Sequence, residues 1–222
     1  MVTFVFDPTQ LPVASIAGEA SIAPARLAPG ALRTRFARTL DWIPEAIDEP
    51  RAVPEYRLRR AAVLVPLVMR PEGVTVLLTR RTDHLSNHAG QISFPGGRAE
   101  ESDSSPIETA LRETEEEVGL HRRHIEIIGV LPDHATVTAY RITPVVALVE
   151  PPFTLRPDPN EVAEIFEVPL AFLMDGLNHQ RREIELPESA GRRAFYAMPY
   201  EQYFIWGATA TILRNLFHFL RA

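Results

Sequence analysis

Residues 96–120 read GGRAEESDSSPIETALRETEEEVGL, and this segment predicts a helix with two different faces. Ser105 followed by Pro106, with Glu108 three residues after the serine, is typical of a helix start with a capping box. Gly119 is a typical C-terminal stop. At about 100° per residue, one arc of this helix collects the residues that we expect to face the core: Ile107, Ala110, Leu111, Thr114 and Val118.

The second face of this helix is acidic. Glu113, Glu116 and Glu117 lie at positions i, i+3 and i+4, so their carboxylates are predicted to share one side. Like charges at this spacing repel each other, and they repel more strongly beside a buried face, where the dielectric constant is lower. A hard divalent cation with oxygen ligands, Mg²⁺ or Mn²⁺, would compensate this charge, and an ordinary solvated face is the alternative. The turn Phe94-Pro95-Gly96-Gly97 favours the metal site, because it brings a glycine carbonyl up to the helix.

The rest of the chain predicts a mixed fold around this helix. Apolar runs at 61–69 and 74–79 flank the turn Arg70-Pro71-Glu72-Gly73 and predict a buried hairpin. Mixed strands with few, separated helices imply an α+β domain with α/β/α layers. We expect residues 1–56, rich in Ala and Pro, to be an N-terminal extension, and residues 57–222 to form the main domain. The other expected elements are strands near 91–94, 125–131, 141–149, 162–168, 182–186 and 194–198, and helices near 31–40, 170–174 and 205–220.

Composition limits the function classes. The 222 residues are 45% hydrophobic and 23% charged, which is typical of a globular protein. The absence of cysteine excludes disulfides, cysteine nucleophiles and thiolate zinc sites, and it fits a reducing compartment. A net charge of −6 supplies no global field for nucleic acid or an anionic membrane. We therefore predict a cytoplasmic protein with neither partner, in which local charge or a bound cation attracts any anionic ligand.

The acidic helix and its upstream turn resemble the Nudix box, G-x5-E-x7-R-E-U-x-E-E-x-G-U, in which U is aliphatic. Two positions depart from this pattern. Asp103 replaces the first glutamate, with eight residues rather than seven between it and Arg112, and Thr114 occupies a position that is usually aliphatic. The resemblance implies a Nudix-type mixed β-sheet sandwiched between helices, and hydrolysis of a phosphoanhydride bond. The matching residues are Gly97, Arg112-Glu113, Glu116-Glu117 and Gly119-Leu120.

The sequence just upstream resembles the signature of the coenzyme A pyrophosphatase branch of the Nudix hydrolases, which usually has an arginine where this chain has Ser86. This resemblance implies cleavage of coenzyme A or its thioesters into 3′,5′-ADP and 4′-phosphopantetheine or its acyl form. Two alternatives stay open: a pyrophosphatase for ADP-ribose, a dinucleotide or an oxidised nucleotide, and a catalytically silent nucleotide-binding module. The matching runs are Leu77-Leu78-Thr79-Arg80-Arg81-Thr82, His88-Ala89-Gly90-Gln91 and Phe94-Pro95-Gly96-Gly97.

The resemblance also implies roles for individual residues. Arg112 is expected to orient the acidic side chains through contacts with Asp103 and Glu116. Glu161 is the candidate general base, and Glu164 is the alternative. The metal-binding groups are expected to be Glu113, Glu116, Glu117 and the carbonyl of Gly97, with Glu113 and Glu116 also counted as catalytic.

The remote end of the substrate is expected to contact three arginines, with His88 and Ser86 nearby. An arginine pair binds a ribose phosphate bidentately, and the alternative is that one of the pair, at a strand end, points to solvent. The apolar run 204–220 is predicted to be core, or the contact of a homodimer. The three arginines are Arg80, Arg81 and Arg98.

Overall fold

The structure is a computed structural model that describes residues 6–39, 41–45, 57–83, 90–136, 138–185 and 192–222. The helices in these ranges are α1 (Pro29–Phe36), α2 (Pro106–Val118), α3 (Leu170–Leu173) and α4 (Gly207–Arg221). The strands are β1 (Val13–Ile16), β2 (Arg59–Arg70), β3 (Gly73–Arg81), β4 (Ile92–Ser93), β5 (Gly96–Arg98), β6 (Ile125–Val130), β7 (His134–Ala135), β8 (Tyr140–Val149), β9 (Val162–Pro169), β10 (Gln180–Glu185), β11 (Arg192–Tyr200) and β12 (Tyr203–Trp206).

The larger sheet is mixed. Its central path runs β4-β3-β2-β8-β6, while β5 pairs with β2, β7 with β8 and β9 with β3. The predicted hairpin is confirmed, because β2 and β3 pair antiparallel and close on Arg70 opposite Gly73. The pairing of β2 with β8 is parallel, from Arg59 opposite Tyr140 to Val68 opposite Val149.

Helices cover both faces of the larger sheet, which confirms the predicted α+β layering. Ala62 and Leu64 of β2 pack with Ala110 of α2 on one face. Val65 and Leu67, at alternate positions of the same strand, join the main core with α4 on the other face. A central strand that is buried on both faces is expected to be apolar throughout, and this explains the continuous run in β2.

The N-terminal region packs against the C-terminal part of the chain. In the smaller sheet, of order β1-β10-β11-β12, β1 pairs antiparallel with β10. Arg35 donates to the carbonyl of Phe219 from Nε at 2.9 Å and from Nη2 at 2.6 Å, and Arg26 donates to the carbonyl of Leu220. Both arginines therefore bind carbonyls in the last turn of α4, where the helix has no partners of its own for them.

Two predicted helices have different limits in the structure. The first begins at Pro29 rather than at residue 31, because proline suits the first helical position, and it ends at Phe36. The predicted helix 205–220 begins only at Gly207, because Ile205 and Trp206 belong to β12 and pair with β11. Gly207 has a φ of 62°, a left-handed conformation that suits glycine and separates the strand from the helix. No helix in the described ranges is long and apolar enough to cross a membrane.

Candidate active site

Helix α2 begins and ends where its sequence predicts. The side chain of Ser105 accepts a hydrogen bond from the backbone N–H of Glu108 at 3.3 Å. Gly119 ends the helix in the left-handed conformation, with a φ of 68°. The predicted core face is also found: its residues are buried or, for Ile107, partly buried against the larger sheet. The local signals therefore orient the helix correctly.

The three glutamates of α2 do not share one environment. The side chain of Glu117 is 5% exposed, that of Glu113 is 17% exposed and that of Glu116 is 60% exposed. The prediction that the three carboxylates share one side of the helix did not include this difference in burial. Glu117 lies only about 20° around the helix from Ala110, so it turns into the boundary of the core face. Glu116, on the other side of Glu113, points towards solvent.

Glu117 is a buried carboxylate with two partners. Its Oε2 accepts a hydrogen bond from the backbone N–H of Gly96 at 3.0 Å, and its Oε1 lies 3.6 Å from Nη1 of Arg81. Burial raises the pKa of Glu117 to about 7, although the Gly96 N–H and Arg81 act in the opposite direction. The nearby charges of Glu161 and Glu113 raise this pKa further. An added positive charge would therefore stabilise the ionised form of Glu117.

Two adjacent glycines in β5 shape the space beside these carboxylates. A Cβ on Gly97 would lie 2.5 Å from the carboxyl carbon of Glu113, so only glycine lets this carboxylate approach the strand. Gly96 has a φ of 149°, and a Cβ there would collide with the carbonyl oxygen of Ala62. Gly97 thus leaves room for Glu113, whereas Gly96 is required for the path of the backbone. Burial also raises the pKa of Glu113, and the neighbouring Arg112 opposes this effect.

Arg112 links the acidic groups, and the two contacts predicted for it are present. Its Nε and Nη2 each donate to one oxygen of Asp103 at 3.0 Å, and its Nη1 donates to Glu116 at 2.9 Å. Its Nη2 also lies 3.1 Å from Glu113. The hydrogen bonds from Arg112 hold the pKa of Asp103 well below its usual range. Asp103 is shorter than the glutamate of the Nudix box, and one additional residue separates it from Arg112. The two side chains nevertheless form a bidentate ion pair.

The predicted arginines do not form one cluster. Arg80 and Arg81 are consecutive strand residues, and their side chains point to opposite faces of the larger sheet. Arg81 lies on the α2 side, where its Nη2 is 3.7 Å from Glu161. Arg80 lies on the other side, and its Nε donates to Glu164 at 3.3 Å. Arg98 is exposed and follows Gly97, whose Cβ position faces α2, so strand alternation directs it away from that helix.

Two of the predicted site residues are not among those that the structure describes, and one residue near the site was not predicted from the sequence. Ser86 and His88 lie outside the described residues. Tyr203 was not predicted for the site, yet its hydroxyl donates to Glu164 at 2.7 Å and its ring stacks on Phe166. Residues two apart in a strand face the same side, so the sequence of β9 already indicates that Glu164 and Phe166 do so. No local signal connects them to Tyr203, because β12 is distant in sequence.

The residues around Gly97 suit a hard divalent cation. Within the described ranges, no three His, Asp or Glu side chains form a ready-made metal cage. Glu113 and Glu117 nevertheless present carboxylate oxygens one helical turn apart, and the glycine at position 97 leaves the space that a Cβ would fill. Burial raises the pKa of both carboxyls, so both are stabilised by an added cation. Oxygen donors of this kind fit Mg²⁺ or Mn²⁺.

Comparisons with known proteins agree with this geometry. The family model of the NUDIX domain matches residues 58–186. NudL of Escherichia coli K12, described as an uncharacterized Nudix hydrolase, is 44% identical over 159 residues, which cover 71% of this chain and 81% of the relative. Among solved structures, an Ap4A hydrolase of C. elegans is 18% identical with a TM-score of 0.44, over 50% of this chain and 80% of that chain. RenU of M. smegmatis, a Nudix hydrolase, is 27% identical with a TM-score of 0.41, over 51% of this chain and 71% of that chain. The match to the NUDIX domain model and the similarity to NudL show that this chain belongs to the Nudix family and is a hydrolase of phosphoanhydride bonds.

Proposed function

We propose that this protein hydrolyses the diphosphate linkage of coenzyme A or its thioesters, releasing 3′,5′-ADP and 4′-phosphopantetheine or its acyl form. One observation carries the proposal. Arg81, which belongs to the run that resembles the coenzyme A pyrophosphatase signature, lies against Glu117 of the acidic helix at 3.6 Å. The run upstream of the box and the box itself are thus parts of a single site. A guanidinium beside the catalytic carboxylates suits a substrate with several phosphates.

We assign the metal to the carboxylates of Glu113 and Glu117 and to the carbonyl of Gly97, with Glu116 at the solvent edge. The family typically uses divalent metal ions, and we propose Mg²⁺ or Mn²⁺. When bound, such an ion neutralises phosphate charge and lowers the pKa of a water molecule. Glu117 is oriented for this role by the Gly96 N–H.

The other residues orient groups and move protons. Arg112, held by Asp103, keeps Glu116 and Glu113 in position. Glu161 is our candidate for the general base, because its half-exposed carboxylate lies at the site beside Arg81. Glu164, the alternative, is less suited, since Arg80 and Tyr203 both bind its carboxylate. The substrate-binding residues that we propose are Arg80, Arg81, Arg98, His88 and Ser86.

Three further assignments accompany this function. We propose that residues 57–222 form the hydrolase domain and that residues 1–56 are an extension packed on it, as the pairing of β1 with β10 supports. We propose a cytoplasmic location, on the absence of cysteine, and no nucleic-acid or membrane partner, on the net charge of −6. The family implies a nucleotide-like small molecule as the substrate, and a homodimer stays a prediction.

A substrate panel with identification of the products tests the proposal. Coenzyme A, acetyl-coenzyme A, ADP-ribose, a dinucleotide and an oxidised nucleotide are each incubated with Mg²⁺ and then with Mn²⁺. We expect release of 3′,5′-ADP from coenzyme A with a kcat/KM at least about tenfold above that of the other classes, a difference of about 1.4 kcal/mol. The Glu117→Gln variant, purified in parallel, controls for contaminating hydrolases.

Two other outcomes would contradict the proposal. Preferential turnover of ADP-ribose or of another nucleotide would support the broader pyrophosphatase, an alternative that Ser86 favours because the coenzyme A branch usually has arginine there. Binding of nucleotides without any turnover would support the silent module. The complete Arg112-Glu113 and Glu116-Glu117 pairs favour an active enzyme over that module.

A further inference from the structure

Arg80 differs from its neighbour Arg81 in how its guanidinium is engaged. Arg81 is between two carboxylates of the catalytic side, those of Glu117 and Glu161. Arg80, on the other face of the sheet, is held through Nε alone, by Glu164 at 3.3 Å. Its side chain is 37% exposed, and within the described residues no hydrogen bond or ion pair engages its Nη1 and Nη2. The outer edge of this guanidinium is therefore available to a ligand.

The partner of Arg80 is itself held in place. Glu164 lies directly opposite Arg80 in the pairing of β9 with β3, and its second oxygen accepts the hydroxyl of Tyr203 at 2.7 Å. Tyr203 is buried, and its ring stacks on Phe166 with centroids 3.6 Å apart and planes within 6°. A buried tyrosine, stacked on a partly buried phenylalanine, thus orients a carboxylate, and the carboxylate orients a guanidinium. Less side-chain entropy is lost when such a pre-oriented arginine binds.

This arrangement suits a phosphate close to the catalytic side. A guanidinium offers its free edge to two phosphate oxygens at once, and both hydrogen bonds are charge-assisted. Arg80 and Arg81 are the last two residues of β3, so a nucleotide that extends past this end of the strand can contact side chains on both faces of the sheet. The two arginines then serve different groups, because they lie on different faces.

We propose that Phe166, Tyr203 and Glu164 position Arg80 to bind a phosphate monoester that the substrate carries in addition to its diphosphate, as the 3′-phosphate of coenzyme A does. This inference rests on the proposed function and deepens it. Arg80 is the substrate-binding residue of this subsite, and the other three are positioning residues. The subsite distinguishes substrates with the additional phosphate from those without it.

Steady-state kinetics on coenzyme A and dephospho-coenzyme A test this subsite, because the two molecules differ only in the 3′-phosphate. We expect Arg80→Gln to raise KM for coenzyme A by about 10- to 100-fold, the usual range for a lost charge-assisted hydrogen bond, with kcat preserved. Glu164→Gln and Tyr203→Phe should raise the KM for coenzyme A by about threefold, since the guanidinium stays but loses its orientation. On dephospho-coenzyme A, which lacks the 3′-phosphate, each variant should lose less than on coenzyme A, so the ratio of the two kcat/KM values should fall by about tenfold or more in Arg80→Gln and by about threefold in the other two variants.

A matched variant controls for general effects of removing a tyrosine hydroxyl. Tyr200→Phe changes a tyrosine near the same turn, whose ring contacts Phe172 at 4.8 Å between centroids, and it should alter neither substrate. Equal losses on both substrates in the Arg80, Glu164 and Tyr203 variants would assign them a structural role and overturn the subsite. Unchanged KM values for coenzyme A would overturn it as well.

The failure of the proposed function would be recognised separately. If the wild-type protein cleaves neither coenzyme A nor dephospho-coenzyme A, that function is wrong, and calorimetric binding of 3′,5′-ADP and AMP then tests the subsite. Arg80→Gln should weaken the binding of 3′,5′-ADP by about tenfold or more and leave the binding of AMP unchanged. Equal weakening of the two nucleotides, or no change in either, would overturn the inference.

Discussion

Two groups of charged side chains lie around α2 and α4, the helices on opposite faces of the larger sheet, and the pKa values of their buried carboxyl groups shift in opposite directions. The first group, which we propose to be catalytic and call the catalytic cluster, consists of Glu113, Glu116, Glu117, Arg81 and Arg112 around α2. In this cluster burial raises the pKa of Glu117 to about 7 and also raises that of Glu113. The anchor cluster, around α4, consists of Glu19, Glu45, Tyr196, Arg214 and His218.

The anchor cluster satisfies its carboxylates. Arg214 is buried and binds Glu19 at 2.9 Å through Nη2 and Glu45 at 2.8 Å through Nε. Burial by itself raises the pKa of Glu45, but hydrogen bonds from His218, Tyr196 and Arg214 outweigh it and lower the pKa to about 2. The pKa of Glu19 is lowered as well, because Arg214 outweighs its burial. These contacts attach two residues of the N-terminal region to α4.

The comparison shows how one set of residue types serves two purposes. In the anchor cluster the ionised forms are stabilised by partners, so the charges hold the fold together. In the catalytic cluster burial outweighs the Gly96 N–H, Arg81 and Arg112, so an added cation would stabilise the ionised carboxylates further. Such unsatisfied acidic groups are typical of functional sites, whose residues are not those that would give the fold its highest stability.

The largest expected effect is on stability, in Arg214→Met. Removing the buried cation leaves Glu19 and Glu45 without their main partner, so we expect the free energy of unfolding to fall by about 3–5 kcal/mol. The kcat of the folded protein should stay unchanged, because the catalytic cluster lies on the other face of the sheet. Urea unfolding measures the first quantity and kinetics below the transition the second. Arg221→Met, an exposed arginine of α4, is the control, and an equal loss in both variants would contradict the anchor role.

The next effect is on activity, in Glu117→Gln. We expect kcat to fall at least about 100-fold, or about 2.7 kcal/mol, because one strong electrostatic stabiliser is lost. The free energy of unfolding of the metal-free protein should be unchanged or higher, since glutamine still accepts from the Gly96 N–H and removes a buried charge. Glu115→Gln is the matched control, because Glu115 is on the same helix but binds Arg122 instead. Near-wild-type turnover in Glu117→Gln would remove Glu117 from the mechanism.

The smallest effect is the pH dependence that Glu45 gives to stability. Its pKa falls from 4.5 to about 2 on folding, so the folded state holds fewer protons than the unfolded state between these values. The stabilisation is therefore complete above about pH 5 and is lost as the pH falls towards 2, by about 1–3 kcal/mol. Urea unfolding from pH 6 to pH 3 should show the wild-type protein converging on Glu45→Gln. A constant difference between the two proteins across this range would be inconsistent with the low pKa.

Elements with strong local signals were predictable from the sequence. Helix α2 has a serine cap, a proline and a terminal glycine, and the β2–β3 hairpin has a turn of suitable residues, so both have nearly the predicted limits. The start of α4 was not predictable in the same way. The apolar run before it suits a strand or a helix, and Ile205 and Trp206 are a strand because β11 offers them a partner.

The candidate site also has features that the local sequence predicts and features that depend on the tertiary structure. The spacing of Arg112, Glu113, Glu116 and Glu117 on one helix indicates the family, because helical geometry relates residues within one or two turns. The sequence did not show that Glu117 is buried and Glu116 exposed, since that depends on the position of β5 against α2. Strand alternation is a local rule, but only the position of each strand end in the fold shows which group each of Arg80 and Arg81 meets.

Local sequence thus accounts for the caps, the apolar face, the acidic residues and the membership of the Nudix family, because these depend on neighbours along one helix or one turn. Tertiary structure decides the protonation, burial and orientation of the same side chains, because their partners come from distant segments. Gly96 is 21 residues from Glu117, Glu164 is 84 residues from Arg80, and Glu45 is 169 residues from Arg214. Charges and dielectric act through space, so these pairings exist only once the sheet and its two helical layers are assembled.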